Sequence, residues 1–361
     1  MSPLKNMMKQ LFSLSVYPIY THIKSIIATK RSDPMILYYH RVADVDDDYI
    51  GMPDLTVSVD NFRNQLKFIK EEFDVVPLWQ MIDGVEKGKG FPNREIAITF
   101  DDGYYDNYRN AFPILKEFRI PATIFVTTGH IGGNDMFWWD KIAYLKKWDL
   151  LEELVMNIPR MIREGNTGRI PDLSGNGVDP VKVIHMMKLA GRTNREKIFS
   201  LMDRLAARNF STDKKRVFLS WDEIREMKNH GIDICSHTHT HPVLTELDSD
   251  ELRDELLTSR NMICEVCGEQ QIGFAYPDGW FDERVKKLVI ESGYRYAVQT
   301  NRLPSNAGDR FSLKRRMVKE GMSKSTGGKY AKSMFIMEIS GMYDTLLLRN
   351  FRKKSPYAPM E

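Results

Sequence analysis

The chain has 361 residues, 42% of them hydrophobic and 28% charged, with a net charge of +3. That length supports a sizeable core in one large domain or two modest ones. The weak positive charge and the lack of zinc-finger, RNP or helix-turn-helix signatures argue against a nucleic-acid partner. Three cysteines, Cys235, Cys264 and Cys267, are too few and too odd in number for a secreted disulfide scaffold. Cys264 and Cys267 lack the second pair that a zinc ribbon needs, and they read as two helix residues.

From the N-terminus, 1–33 is a basic and apolar arm. Its run from Leu11 to Thr29 is broken by Pro18, His22 and Lys24, so it falls short of the ~18 apolar residues of a membrane span. It also lacks a small-residue cleavage site, so no signal peptide is expected and a cytoplasmic location is. Met35 to Tyr39 reads as a first strand. Ser58 is placed to cap a helix with Val59, Phe62, Leu66 and Ile69 on one face. Val75 and Val76 suggest a second strand and Ile96 to Phe100 a third. A helix through Ile114, Leu115 and Phe118 follows, and Thr123 to Thr127 is the fourth strand.

The rhythm then changes. Residues 134–217 read as a helical insertion between barrel halves at 34–133 and 218–319. Trp138, Ile142, Leu145 and Trp148 share one helix face, Gly165 to Pro180 is a loop, and Thr193 with Glu196 resembles a capping box. Alternation resumes with a second such box at Ser220 and Glu223, a strand at Ile232 to Ser236 and a helix from about Asp250 to Cys267. Strands at Ile272 to Tyr276 and Tyr296 to Gln299 flank a helix between Asp282 and Gly293. About seven β/α repeats predict an α/β fold, a distorted barrel of parallel strands. Residues 320–361 form a basic amphipathic tail, in which Phe335, Ile336 and Ile339 precede Arg349, Arg352, Lys353 and Lys354. A helix packed on the domain is the first expectation for it, and peripheral contact with an anionic membrane the second.

In such a barrel, reactive side chains gather at the C-terminal ends of the strands. Asp101 and Asp102 follow one apolar strand, and His237 and His241 another. Adjacent aspartates diverge, so one can ligate a metal while the other acts as a base, and Gly103 permits the tight turn that presents them. Two histidines and a carboxylate with an open position form the donor set of a catalytic divalent metal, Zn2+ above all. Singly, an Asp-Asp-Gly is an ordinary turn and a His-x-His-x-His run an incidental surface feature. Each follows a strand, however, and together they point to a metal centre.

Several segments in order carry a family resemblance: Tyr38-Tyr39-His40-Arg41-Val42, Thr99-Phe100-Asp101-Asp102-Gly103, Pro121-Ala122-Thr123-Ile124-Phe125-Val126, Ser236-His237-Thr238-His239-Thr240-His241-Pro242 and Phe274-Ala275-Tyr276-Pro277-Asp278-Gly279. Over about residues 34–133 and 218–318 the chain resembles the polysaccharide deacetylases, also called family 4 carbohydrate esterases. The resemblance implies a metal-dependent N-deacetylase acting on a glycan. It implies Asp101 as general base and Asp102, His237 and His241 as metal ligands, with His239 at a variable position. Tyr276, Pro277 and Asp278 would then shape the substrate pocket.

Two departures stand out. Ala275 and Tyr276 occupy the place where many members carry an Arg beside the base. No histidine follows His241, so the general-acid role falls to His40, by similarity to permuted members. Trp138 and Trp139 are candidates for stacking on sugar rings, with core packing as the alternative. Arg315 and Arg316 are expected at the surface, the alternatives being that one of them faces the site or binds an anionic group of the substrate. Two rival functions remain at this point: hydrolysis of another amide or cyclic imide, which gives a ring-opened acid in place of acetate, and an inactive glycan-binding scaffold.

Overall fold

The computed structural model describes residues 7, 10–14, 34–44, 51–87, 91–92, 94–161, 178–208, 216–300 and 308–341. Most of the arm, the loop at 165–177 and the basic end at 342–361 lie outside the described residues.

The strands are Ile36–Tyr39 (β1), Arg41–Val42 (β2), Thr56–Val57 (β3), Asp74–Val75 (β4), Glu95–Asp102 (β5), Ala122–Val126 (β6), Ile232–Ser236 (β7), Gly273–Ala275 (β8), Tyr296–Gln299 (β9), Leu313–Lys314 (β10) and Arg316–Met317 (β11). The main sheet runs in the order β10, β9, β8, β7, β6, β5, β1, β11, and its pairs are parallel. Its strands read as continuous apolar runs because helices cover the outside and side chains fill the inside. β10 and β11 flank a single residue, Arg315. One extended stretch therefore pairs with β9 at one end and with β1 at the other, and the sheet nearly closes into a barrel.

The count of seven predicted strands thus conceals an exchange. The Val75 strand leaves the ring and pairs only with the start of β5, while the stretch 313–317 takes the closing place. A further pair, β2 with β3, lies apart from the barrel.

The helices are Val59–Glu72 (α1), Leu78–Glu86 (α2), Phe112–Phe118 (α3), Trp138–Lys147 (α4), Leu151–Met161 (α5), Pro180–Leu189 (α6), Arg192–Ala207 (α7), Trp221–Asn229 (α8), Ser249–Cys267 (α9), Glu283–Glu291 (α10) and Lys332–Ile339 (α11). In α1 the apolar spacing buries Phe62, Leu66 and Ile69. Ser58 precedes α1 but gives its hydroxyl to Glu320 at 2.8 Å rather than to the helix. A reciprocal capping box of Ser220 and Glu223 opens α8, and Asp248 with Glu251 opens α9. No box forms at Thr193, because α7 already begins at Arg192 behind Gly191.

Between β6 and β7, α4 to α7 gather an apolar cluster of their own around Ile142, Leu145, Leu154, Met187, Ile198 and Met202, separate from the barrel core. At the other end of the chain, α11 buries Phe335, Ile336 and Ile339. The described part of the tail is therefore core rather than a membrane-facing surface. Among the described residues, no helix is long and apolar enough to cross a membrane.

Candidate active site

The strand ends bring together what the sequence separates. β5 finishes on Asp101 and Asp102, β7 is followed by His237, β8 ends at Ala275, and β1 is followed by His40. All four ends open on the same face of the parallel barrel. Asp102, Thr238, His241 and Asp278 take left-handed backbone conformations, with φ of 77°, 70°, 61° and 55°. Non-glycine residues in that region are costly and concentrate at functional sites. Gly103 follows at φ 78°, and a Cβ there would meet Val126 Cγ1 at 3.2 Å.

Asp102, His237 and His241 each place one ligand atom within 4.8 Å of the others. Nε2 of His237 lies 3.5 Å, and Nε2 of His241 3.8 Å, from Asp102 Oδ1. That oxygen is buried and accepts no hydrogen bond. Burial, reinforced by Asp101, pushes the Asp102 carboxyl well above its ordinary pKa. Burial also lowers His237, and it takes His241 down to about 3 with the help of its neighbour His237. Both rings are therefore neutral. His237 Nδ1 lies 2.8 Å from the carbonyl of Ala275, so Nδ1–H donates there and Nε2 keeps its lone pair for a ligand. An orphaned buried carboxylate oxygen faced by two imidazole nitrogens suits a divalent cation. His239 is turned away, with Nδ1 3.0 Å from the Thr128 hydroxyl.

Asp101 is held differently. Arg315 donates to both its oxygens, Nη1 to Oδ1 and Nη2 to Oδ2, each at 2.7 Å. Arg315 Nη1 also reaches Thr99 Oγ1 at 3.0 Å, and the guanidinium lies against the rings of Tyr38 and Phe125. Its side chain is 0% exposed and that of Asp101 4%. Burial pushes the Asp101 carboxyl up, but the charge and hydrogen bonds of Arg315 outweigh it and leave Asp101 below its ordinary value. The surface placement expected for Arg315 is therefore wrong. It provides, from the barrel-closing stretch, the contact for which Ala275 and Tyr276 offer no side chain. In an extended segment alternate residues face opposite sides, and that is the one signal that could have separated Arg315 from the partly exposed Arg316.

His40 is partly buried, with Nδ1 enclosed and without a hydrogen-bond partner. Burial lowers its pKa to about 4, against the pull of ionised Asp101, which raises it. His40 is thus neutral at rest, whereas a resting general acid needs its proton.

The substrate candidates divide. The Tyr276 ring is withdrawn into the barrel wall, stacked on Phe281 at 4.2 Å, with its hydroxyl donating to the Phe311 carbonyl at 3.0 Å. Pro277 is buried too. Asp278 stays at the site, paired with Lys188 of α6, a residue with no signal in the sequence. Trp139 is buried, edge-on to His241 at 4.8 Å, and donates from Nε1 to Tyr104 Oη at 2.9 Å. Tyr104 in turn donates to Asp140 Oδ2 at 2.8 Å. Trp139 is thus a fixed wall behind His241. Trp138 and His241 both line a cleft of about 510 Å3.

Comparison with known proteins identifies the family of the chain. Residues 88–160 and 190–297 match the sequence model described as polysaccharide deacetylase. YxkH of Bacillus subtilis strain 168 is 24% identical over 284 residues, which cover 75% of this chain and 72% of that protein. The poly-beta-1,6-N-acetyl-D-glucosamine N-deacetylase of Staphylococcus epidermidis is 35% identical over 116 residues, 29% of this chain. That match spans 40% of the staphylococcal protein's length. In fold, the chain is similar to the Streptococcus pyogenes deacetylase PplD solved with acetate (TM-score 0.53, 20% identity, 83% of this chain and 97% of that one). It is also similar to a polysaccharide deacetylase from Bacillus cereus (TM-score 0.52, 20% identity, 86% and 69%).

Proposed function

Because the chain belongs to the polysaccharide deacetylase family, we propose that it hydrolyses N-acetyl groups from a hexosamine-containing glycan during assembly of a cell-surface or exported polysaccharide. The observation that carries this reading is the pairing of two carboxylates in opposite states. Asp101 is kept ionised by Arg315, and beside it Asp102 is orphaned and faced by His237 and His241.

In this reading Asp102, His237 and His241 hold a divalent cation, Zn2+ by its donor set. Such an ion supplies Lewis acidity for the acetamide carbonyl and the attacking water. Asp101 is the general base and takes a proton from that water as its oxygen adds to the acetamide carbon. Arg315 keeps both oxygens of the base in place. The C–N bond then breaks and the leaving amine takes a proton. We assign that delivery to His40. Neutral at rest, it passes on the proton that Asp101 removes, so the water's proton ends on the amine. Trp139 and Phe137, whose ring centroids lie 4.8 and 5.5 Å from that of His241, fix the orientation of that ligand.

The staphylococcal relative suggests the first substrate to try, a β-1,6-linked N-acetylglucosamine oligomer. Acetate release, measured together with metal content, tests the proposal. Asp101→Asn abolishes turnover while leaving the metal in place. Retained activity in that variant, or a ring-opened acid in place of acetate from an amide panel, overturns the assignment.

A further inference from the structure

The cleft beside the triad extends the site beyond the reacting group. It lies between α7 of the helical insertion and the loop and helix that follow β7. Three features describe what it can hold. First, His241 is part of its lining, with a side chain only 8% exposed, so the cleft begins at the catalytic centre. Second, Trp138 and Phe199 both line it, with ring centroids 6.0 Å apart and planes 34° from parallel. A partly exposed aromatic pair of this kind covers the apolar face of a sugar ring.

Third, the polar lining carries an excess of negative charge. Its two guanidinium groups, Arg192 and Arg195, are already tied to Glu251 and Glu246. Glu196, which Arg192 Nε also reaches at 3.3 Å, with Asp254 and Glu255 brings the lining to five carboxylates against two guanidinium groups. Glu255 accepts from the backbone amides of His239 and Thr240 at 2.9 and 2.8 Å and so holds the ligand-bearing loop. Glu196 and Asp254, both exposed, stand on opposite walls, α7 and α9.

A neutral N-acetylated sugar gains nothing from this field. A sugar whose acetyl group has been removed bears a primary amine that the neighbouring acetal and hydroxyl oxygens hold near neutrality, so it is an ammonium group in mildly acidic solution, and it does gain. We propose that this cleft is a binding subsite for a cationic, already de-N-acetylated hexosamine residue of the same glycan chain. The inference rests on the deacetylase reading and deepens it. The enzyme would favour acetylated residues that neighbour ones it has already processed, and so leave runs of free amines rather than scattered ones.

The test uses the full-length protein and a glucosamine pentamer, which has no acetyl group to lose, titrated by calorimetry in mildly acidic buffer, where its amines are ammonium groups. The wild type is expected to bind it saturably, more weakly as ionic strength rises. Removing one exposed carboxylate from each wall, in the double variant Glu196→Gln with Asp254→Asn, is expected to weaken binding by about fivefold or more. Both positions are exposed, and an unchanged melting curve shows that the fold is kept. No saturable binding, or equal binding in the double variant, overturns the subsite.

Acetate release from the N-acetylated pentamer is measured on the same preparation. Release without glucosamine binding overturns the subsite and leaves the deacetylase reading standing. Glucosamine binding without release supports the subsite and overturns the catalytic reading.

Discussion

Arg315 offers the sharpest test of the site. Substituting it with Met keeps much of its volume but removes both hydrogen bonds to Asp101, each 2.7 Å long. It leaves a carboxylate that is 4% exposed without a counter-charge. Breaking a buried pair by removing one partner costs about 3–5 kcal/mol. At roughly 1.3 °C per kcal/mol for a chain of 361 residues, the melting temperature should fall by about 4–7 °C. The displaced base should also lower kcat/KM about 100-fold, the scale of a ~1 Å misplacement.

The assay is thermal unfolding by circular dichroism, together with acetate release, on Arg315→Met, Asp101→Asn and the double variant. With both charges gone the penalty for an unpaired buried ion disappears. The double variant should therefore be more stable than the sum of the singles by about 1–3 kcal/mol. Arg315→Lys keeps the charge but not the two-pronged geometry, and should fall between wild type and Met. An Arg315→Met protein that melts within about 2 °C of wild type, with additive singles, would show that the pair carries no such load.

Three further outcomes follow from the same geometry. Asp102→Ala and His241→Ala should each strip the proposed divalent metal from the dialysed protein, read by elemental analysis; full retention in either refutes the ligand set. Asp233, on β7, has its carboxyl pushed up to about 6 by burial, with Lys228 3.8 Å away. The folded state thus binds this proton more tightly than the unfolded one, so the stability linked to it is present at low pH and lost as pH rises through about 6. Asp233→Asn should then gain about 1.4 kcal/mol over wild type between pH 5 and 8 in urea unfolding, and a pH-independent difference sinks the argument. Gly103→Ala places a side chain at φ 78° and 3.2 Å from Val126. It should cost about 1–3 kcal/mol and most of the acetate release, and wild-type behaviour in both would show that the turn tolerates a Cβ.

The two motifs of the centre were legible because each stands directly after an apolar strand. A parallel β/α repeat sends all such positions to one face. That reasoning places Asp101, Asp102, His237 and His241 together before any coordinates are known. The cap at Ser220, the helix start at Asp282 and the helix carrying Cys264 and Cys267 were legible for a similar reason, since a helix start needs only the next few residues. Ser58 shows the limit, because its hydroxyl is taken by Glu320, 262 residues away.

What the chain could not announce depends on contacts distant in sequence. Strand β11 pairs with β1, and this register turns Arg315 inward onto Asp101, 214 residues away. The pattern alone shows two adjacent arginines with equal claims. Tyr276 looked like a pocket residue by its motif, yet its ring fills a gap beside Phe281. Lys188 reaches Asp278 only because α6 folds back over the barrel mouth. Local sequence therefore determined where the proposed donor set and base stand, since strand, turn and side chain are neighbours in the chain. The partners that set the charge of those groups come from closure of the barrel and packing of the insertion, which local sequence does not encode.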